Sequence, residues 1–231
     1  MEGFGPRIIF EIGGIPIPET VVVTWLIMAV FTIVAIIVTR NFEKIPRGVQ
    51  NVVEMLVETL NGFVIQTMGE KQRNFIPYMG TIFMFLLVGN LIGLVGLRPP
   101  TADVNTTFAL SISTFVLIHF NSIRHNGIVE YIKGYFDPFP FLFPINLLGE
   151  LATPISLGFR LFGNVVGGVI IMSLMYTGLA ALSGMLGLAS VPIFQAGLPA
   201  VFHLYFDLFS GVLQSFIFVM LSMVFISSNL D

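Results

Sequence analysis

Apolar residues run through this chain in blocks of membrane-spanning length, and the polar residues inside those blocks recur at helical intervals. About 20 mostly apolar residues are needed to cross a bilayer as a helix. The stretch 20–39 meets this, as do 75–97 and, with more polar content, 104–123. Beyond position 138 the apolar sequence continues almost to the C-terminus, broken by Glu150, Arg160 and Asp207. Gly184, Gly187, Pro192, Gly197 and Pro199 predict a turn there, since Pro removes a backbone donor and Gly loosens a helix. The reading is two long helices, 142–186 and 198–229, and five crossings in all. The first of the pair is too long for a bilayer core of about 30 Å, so it must be tilted, kinked or partly interfacial. Tilt is preferred, with Pro154 as a candidate kink.

Between the first two spans, over 45–68, the pattern changes. Ile45, Val49, Val52, Val53, Leu56, Leu60, Phe63 and Val64 recur at helical spacing opposite Gln50, Asn51, Glu54, Glu58 and Asn61. This predicts an amphipathic helix lying on the cytoplasmic interface, with a connector packed on the protein's own loops as the alternative. The fold class is therefore an all-α membrane protein forming a single polytopic domain over 1–231. Composition agrees: 55% of residues are hydrophobic and 10% charged, against roughly 25% charged in soluble domains. With no Cys, disulfides, thioether-linked haem and Cys-ligated metal are excluded. The N-terminus lacks a cationic region leading into an apolar core and a small-residue cleavage site, so no cleaved signal peptide is expected.

Loop charge fixes an orientation. Arg40, Lys44, Arg47, Lys71 and Arg73 lie between the first two spans, and Arg124 and Lys133 follow the third, whereas the opposite side has only Arg7 and Arg98. By the positive-inside rule the N-terminus lies outside the cytoplasm and the C-terminus inside.

Two polar stripes carry the candidate chemistry. Asn146, Glu150, Thr153, Arg160 and Asn164 are spaced by 4, 3, 7 and 4 residues, close to one helix face. His203, Asp207, Ser210 and Gln214 follow offsets 0, 4, 7 and 11 on the last helix. A guanidinium keeps its charge at any accessible pH, so an Arg at membrane depth marks a functional site. Arg160 and Asp207 as one buried ion pair is the plainer alternative, but it leaves Glu150, His203 and Gln214 unexplained. A hydrated ion path accounts for more of the pattern. Gly158, Gly163, Gly167 and Gly168 beside the Arg permit close helix approach, within the chain or from a partner.

Other residues support smaller readings. Asp103, with Asn105, stands at the extracytoplasmic start of the third span, as a vestibule acid or a helix cap. Asn90 in the second span is read as interhelical glue rather than a water contact. His119 and His125 are read as an interfacial and a loop residue, and the dispersed Met residues as packing. No metalloprotease, phosphate-loop, nucleophile-elbow or dinucleotide signature is present, so no cofactor, nucleotide site or nucleic-acid partner is expected.

The runs SLGFRLFGN at 156–164 with the following VVGG, PINLLGELATP before it, FDLFSGVLQSFIF near the C-terminus and PPTADVN together resemble subunit a of bacterial F-type ATP synthases. The likeness covers nearly the whole chain and includes the number and direction of the spans. It implies the stator half of a membrane motor in the bacterial inner membrane, with two tilted helices against a rotating ring of subunit c, a subunit b stalk, and ATP chemistry on other subunits. It also implies that Arg160 is the essential arginine, that Asn164 and Gln214 are its polar neighbours, and that Asp207 stands where relatives carry an acid or His. This chain departs in two places: Val169 stands where many relatives have Glu, and Thr153 where Lys is frequent. The implied path brings ions in past Asp103 and Asp207 and out near Glu150, with H⁺ or Na⁺ as the coupled ion. A secondary transporter or channel holding an anionic substrate on the Arg is the rival, but the inverted repeats it would favour are not detectable; a membrane scaffold is third.

Overall fold

The computed structural model describes residues 7–40, 42–137, 139–185 and 193–229. Helix α1 spans Glu19–Thr39, α2 Val49–Met68, α3 Ile76–Leu91, α4 Val104–Asn126, α5 Ile128–Gly134, α6 Phe143–Met185, α7 Ile193–His203 and α8 Ser210–Ser228. Five helical stretches are long and apolar enough to cross a membrane, beginning at Glu19, Glu70, Val104, Pro140 and Gly197. They match the five expected spans. Helix α6 has 43 residues, about 65 Å at 1.5 Å per residue, roughly twice a bilayer core.

Two features depart from the pattern reading. A short antiparallel hairpin, β1 Ile8–Ile12 and β2 Ile15–Pro18, precedes α1. Its turn is Gly13-Gly14, with φ of 59° and 84°, a left-handed conformation that Gly adopts without steric cost. The expected turn before the last span is the other. Gly187 and Pro192 lie outside the described residues, while Gly197 and Pro199 are inside α7, so the final helical stretch begins before position 198. Helix α7 then passes into a π-helical segment, Leu204–Phe209, which feeds α8.

Helix α8 is the centre of the bundle. Phe218, Val219, Met223 and Ile226 are buried against Met79, Ile82 and Leu86 of α3, Ile118 of α4, Leu157 and Leu161 of α6, and Val64 and Met68 of α2. Small polar residues form a second seam, with Thr107, Ser111 and Thr114 of α4 and Ser215 and Ser222 of α8 all buried. Where lipid removes the usual hydrophobic drive between helices, such small residues let backbones approach and supply hydrogen bonds. Helix α1, in contrast, buries Thr20, Val23 and Ile27 and leaves most of its remaining apolar surface partly or fully exposed.

Helix α2 is packed along part of its length and exposed along the rest. Its C-terminal half packs on the bundle, with Phe63 stacked on Phe216 of α8 at 5.2 Å between ring centroids, while Val49, Val52, Met55 and Leu56 stay exposed. Gln50, expected on the polar outer face, is buried and holds the preceding loop, donating from Nε2 to the Glu43 carbonyl at 2.8 Å and accepting the Glu43 N–H at 3.0 Å.

Candidate ion-translocation site

Helix α6 carries Thr153, Arg160 and Asn164 in sequence, and the two outer members of this series open into different cavities. Thr153, Glu150 and Asn146 line a cavity of about 880 Å³ at the end of the bundle that holds α5 and the last turn of α4. Asn164 and Val169 line another, of about 570 Å³, at the end that holds the start of α1. Asn90, His203 and Asp207 belong to this second lining, as do Glu19 and Arg98. The 11 residues from Thr153 to Asn164 correspond to about 16 Å along the helix axis.

Arg160 lies between them and lines neither cavity. It is exposed on the outer surface of the subunit and makes no hydrogen bond or ion pair with any described residue. The plainer reading of the stripes, an Arg160–Asp207 pair, is thus not formed; Asp207 pairs instead with His203.

That second pairing links the end of α7 to the π-helical segment. His203 Nδ1 donates to Asp207 Oδ2 at 2.5 Å, and Nε2 faces the Tyr176 hydroxyl at 3.0 Å. Tyr176 had not been singled out from its sequence position. It is held by Gln195 of α7, which donates to the Tyr176 carbonyl at 2.9 Å. One turn later, Ser210 Oγ donates to Asn164 Oδ1 at 2.8 Å, joining the two polar stripes. Gln214 is buried, and its Nε2 has no hydrogen-bond partner among the described residues.

Two candidates have structural work. Asn90 donates from Nδ2 to Ser215 Oγ at 2.9 Å and to the Gly211 carbonyl at 3.2 Å, while its Oδ1 accepts from Thr101 Oγ1 at 2.6 Å. It is interhelical glue and also part of a cavity wall. Asp103, 5% exposed, accepts the Asn105 N–H as the cap of α4 and accepts from Thr20 Oγ1 at 2.9 Å. It ties α1 to α4 and is not among the residues lining the cavity, so the cap reading is the one realised. The acids lining that cavity are Asp207 and Glu19, the latter without a signal in the sequence because its neighbours there belong to other helices.

At the opposite end, Glu150 Oε2 lies 3.5 Å from His119 Nε2, and His119 Nδ1 is 2.8 Å from the Tyr131 hydroxyl. His119 is therefore an internal residue of this cluster rather than a plain interfacial one, and His125 is exposed in the last turn of α4 rather than in a loop. Asn146 fastens the start of α6 to the connection after α5, donating to the carbonyls of Tyr135 and Asp137. Burial raises the Tyr135 hydroxyl above its ordinary range, helped by its hydrogen bond with Tyr131 and by the nearby Glu150 charge.

The glycines beside Arg160 divide into two groups. A Cβ on Gly158 would stand 3.0 Å from Ser111 Oγ and 3.1 Å from the Phe108 ring, and one on Gly168 would touch Phe206. Around Gly163 and Gly167 nothing lies within 4 Å. The first two serve packing within the subunit.

Fold and site define a multi-pass α-helical membrane protein whose last two long helices present ionisable groups in and between two cavities at opposite ends. Sequence comparison identifies which one: the family model described as ATP synthase A chain matches residues 21–227, and the chain belongs to the ATP synthase subunit a family. It is 35% identical over 224 residues to ATP synthase subunit a of Moorella thermoacetica, covering 96% of this chain and 95% of that protein. It is 36% identical over 233 residues to the sodium ion specific ATP synthase subunit a of Propionigenium modestum, covering 94% and 75%. A third relative, from Trichlorobacter lovleyi, is 35% identical, with 92% and 87% covered.

Proposed function

We propose that this chain is the ion-translocating stator subunit of an F-type ATP synthase in a bacterial inner membrane, with its two cavities as half-channels and Arg160 as the fixed charge between them. The observation that carries this reading is the outward-facing Arg160 on α6, without a hydrogen-bond or ion-pair partner among the described residues, between a cavity containing Asp207 and one containing Glu150. An Arg with an internal partner would be structural. An Arg offered to the outside suits a partner whose carboxylates pass in turn, which is the role of a subunit c ring, with a subunit b stalk holding the stator still.

Ions come from the extracytoplasmic side through the cavity lined by Glu19, His203 and Asp207, and neutralise a ring carboxylate. Neutral, that group turns into lipid without the heavy cost of exposing a charge to hydrocarbon. After most of a rotation it meets Arg160, whose positive charge favours the ionised carboxylate, and the ion leaves toward Glu150 and the cytoplasm. The same charge repels a cation crossing directly from one cavity to the other. The membrane potential supplies about 2.3 kcal/mol per charge per 100 mV, so several ions are needed for each ATP. The sidedness follows loop charge, which favours an external N-terminus and a cytoplasmic C-terminus.

The test is Arg160→Ala in the complete synthase reconstituted in vesicles. The variant complex assembles, because the side chain makes no hydrogen bond or ion pair with any described residue of the subunit, and ion-driven ATP synthesis is abolished. Coupled synthesis near the unmodified rate would refute the proposal. Running the unmodified complex with H⁺ alone and with Na⁺ added identifies the coupled ion.

A further inference from the structure

The cavity that contains Glu150 holds a continuous line of polar contacts reaching away from α6. His119 is wedged by an edge contact with Phe115, at 3.9 Å between centroids, and by Tyr131 at 5.9 Å. Its Nδ1 meets the Tyr131 hydroxyl at 2.8 Å, and that hydroxyl meets the Tyr135 hydroxyl at 2.5 Å. Its Nε2 is a buried atom without a hydrogen-bond partner among the described residues, 3.5 Å from Glu150 Oε2. A buried polar atom left unpaired is costly, and here it points at a carboxylate.

We infer that His119, Tyr131 and Tyr135 form a proton relay from Glu150 on α6 to the α5 wall of the cavity, a route that conducts H⁺ and not a metal cation. The inference rests on the half-channel reading above. In the receiving arrangement, His119 Nδ1–H donates to Tyr131, Tyr131 donates to Tyr135, and the Tyr135 O–H is free for cavity water. A proton arriving on Glu150 breaks its O–H bond and forms an N–H bond at the Nε2 lone pair. Nδ1 gives its proton to the Tyr131 oxygen, Tyr131 gives its own to Tyr135, and Tyr135 releases one to water. One proton enters, one leaves, and no group changes oxidation state. Rotation of the two hydroxyls and return of the imidazole to its first tautomer reset the line.

Other features favour this path. The raised Tyr135 hydroxyl keeps its proton between transfers. An imidazole nitrogen and two phenols also offer a hard cation few of the oxygen ligands it prefers. The ionisable groups facing His119 are Tyr131 and Tyr135 from α5 and its C-terminal end, and Glu150 from α6. Glu130 and Asp137 line the same cavity, while α8 contributes Phe225 and Asn229, which do not titrate. Arg124 and His125 are on the exposed last turn of α4.

The experiment is ATP-driven acidification of vesicles containing the whole complex, followed from about pH 5 to pH 8, where histidine changes charge. His119→Gln keeps a polar side chain but cannot titrate; it is expected to slow proton transport about tenfold and to remove the inflection in that range. Tyr131→Phe removes one oxygen while keeping the ring contacts, so it carries the test if the Gln variant does not assemble, and it too slows transport. Wild-type rates and pH profile in both variants, with Glu150→Gln and Arg160→Ala impaired, would overturn the relay and leave the half-channels standing. Transport of Na⁺ without H⁺ by the unmodified complex also overturns it. Normal pumping by Arg160→Ala would instead defeat the half-channel reading itself.

Discussion

His203 and Asp207 are joined at 2.5 Å across a π-helical segment, on the helix that faces Arg160's own. In an α-helix, residues four apart are offset by about 40° around the axis, at 100° per residue. The wider π turn shifts that offset and changes how the two side chains meet; such bulges are frequent at functional sites. The pair sits on the wall of the same cavity as Val169, which is half-exposed at 52%.

That juxtaposition allows an acid to be moved from one helix to the other. Asp207→Asn keeps the size of the side chain but cannot titrate, and is expected to cut the rate of ion-driven ATP synthesis with little change in the melting temperature of the complex. Adding Val169→Glu returns a carboxylate to the same cavity and should recover part of the rate. Equal rates in the single and double variants would show that the two positions do not share a role.

The glycines of α6 give opposite expectations. Gly158→Ala drives a methyl against Ser111 and against a Phe108 ring already held edge-on by Phe159. The overpacking outweighs the gain in helix propensity, for a net loss of about 1–2 kcal/mol. A Cβ on Gly163 meets nothing within the subunit, so the thermal stability of Gly163→Ala holds or rises, while synthesis is expected to fall under the proposal that this face of α6 meets the rotor. Thermal denaturation and synthesis rates on both variants separate the two effects. A Gly163→Ala complex with full activity would place the rotor elsewhere.

How much of this was visible in the sequence depends on the length scale of the signal. The fourth span was expected over 142–186 and the helix runs Phe143–Met185, because apolar length is a sum over many residues and survives local irregularity. The spacing of Arg160 and Asn164, and of Asp207 and Gln214, was equally legible, since helical periodicity is local. The N-terminal hairpin was missed even though Gly-Gly between β-branched runs is a hairpin signal; the prolines around it read as irregular chain. Glu19, Tyr176, His119, Tyr131 and Tyr135 were not assembled into sites for a different reason. Each acquires its role from a residue on another element, and no periodicity within one helix records that α5 folds back on α4 or that the start of α1 closes the cavity beside Arg98.

Asn90 is the test of how far cavity and packing share residues. Asn90→Ala leaves Thr101 Oγ1 and Ser215 Oγ without their buried partner and should cost about 1–3 kcal/mol. Asn90→Asp retains an acceptor for Thr101 but loses both donors and sets a carboxylate against the Gly211 carbonyl. It is expected to be the worse of the two at neutral pH and to recover as the pH falls, which melting curves across pH would record. No pH dependence in the Asp variant would mean that water replaces the lost donors.

Sidedness is the remaining prediction, and the structure decides which positions can report it. Asp103 is buried beneath Thr20 and its own cap, so a thiol there would be unreactive for reasons unrelated to topology. Ser173 lines the cavity that contains Asp207 and is exposed; Thr153 lines the one that contains Glu150. The chain has no Cys, so single replacements give one thiol each in this subunit. Ser173→Cys should react with a membrane-impermeant thiol reagent in right-side-out vesicles, and Thr153→Cys in inverted ones. The reverse pattern would invert the topology drawn from loop charge, and inlet and outlet would exchange places with it. Reaction of both thiols from one side would show that the cavities connect, which the unbroken stretch of α6 around Arg160 is expected to prevent.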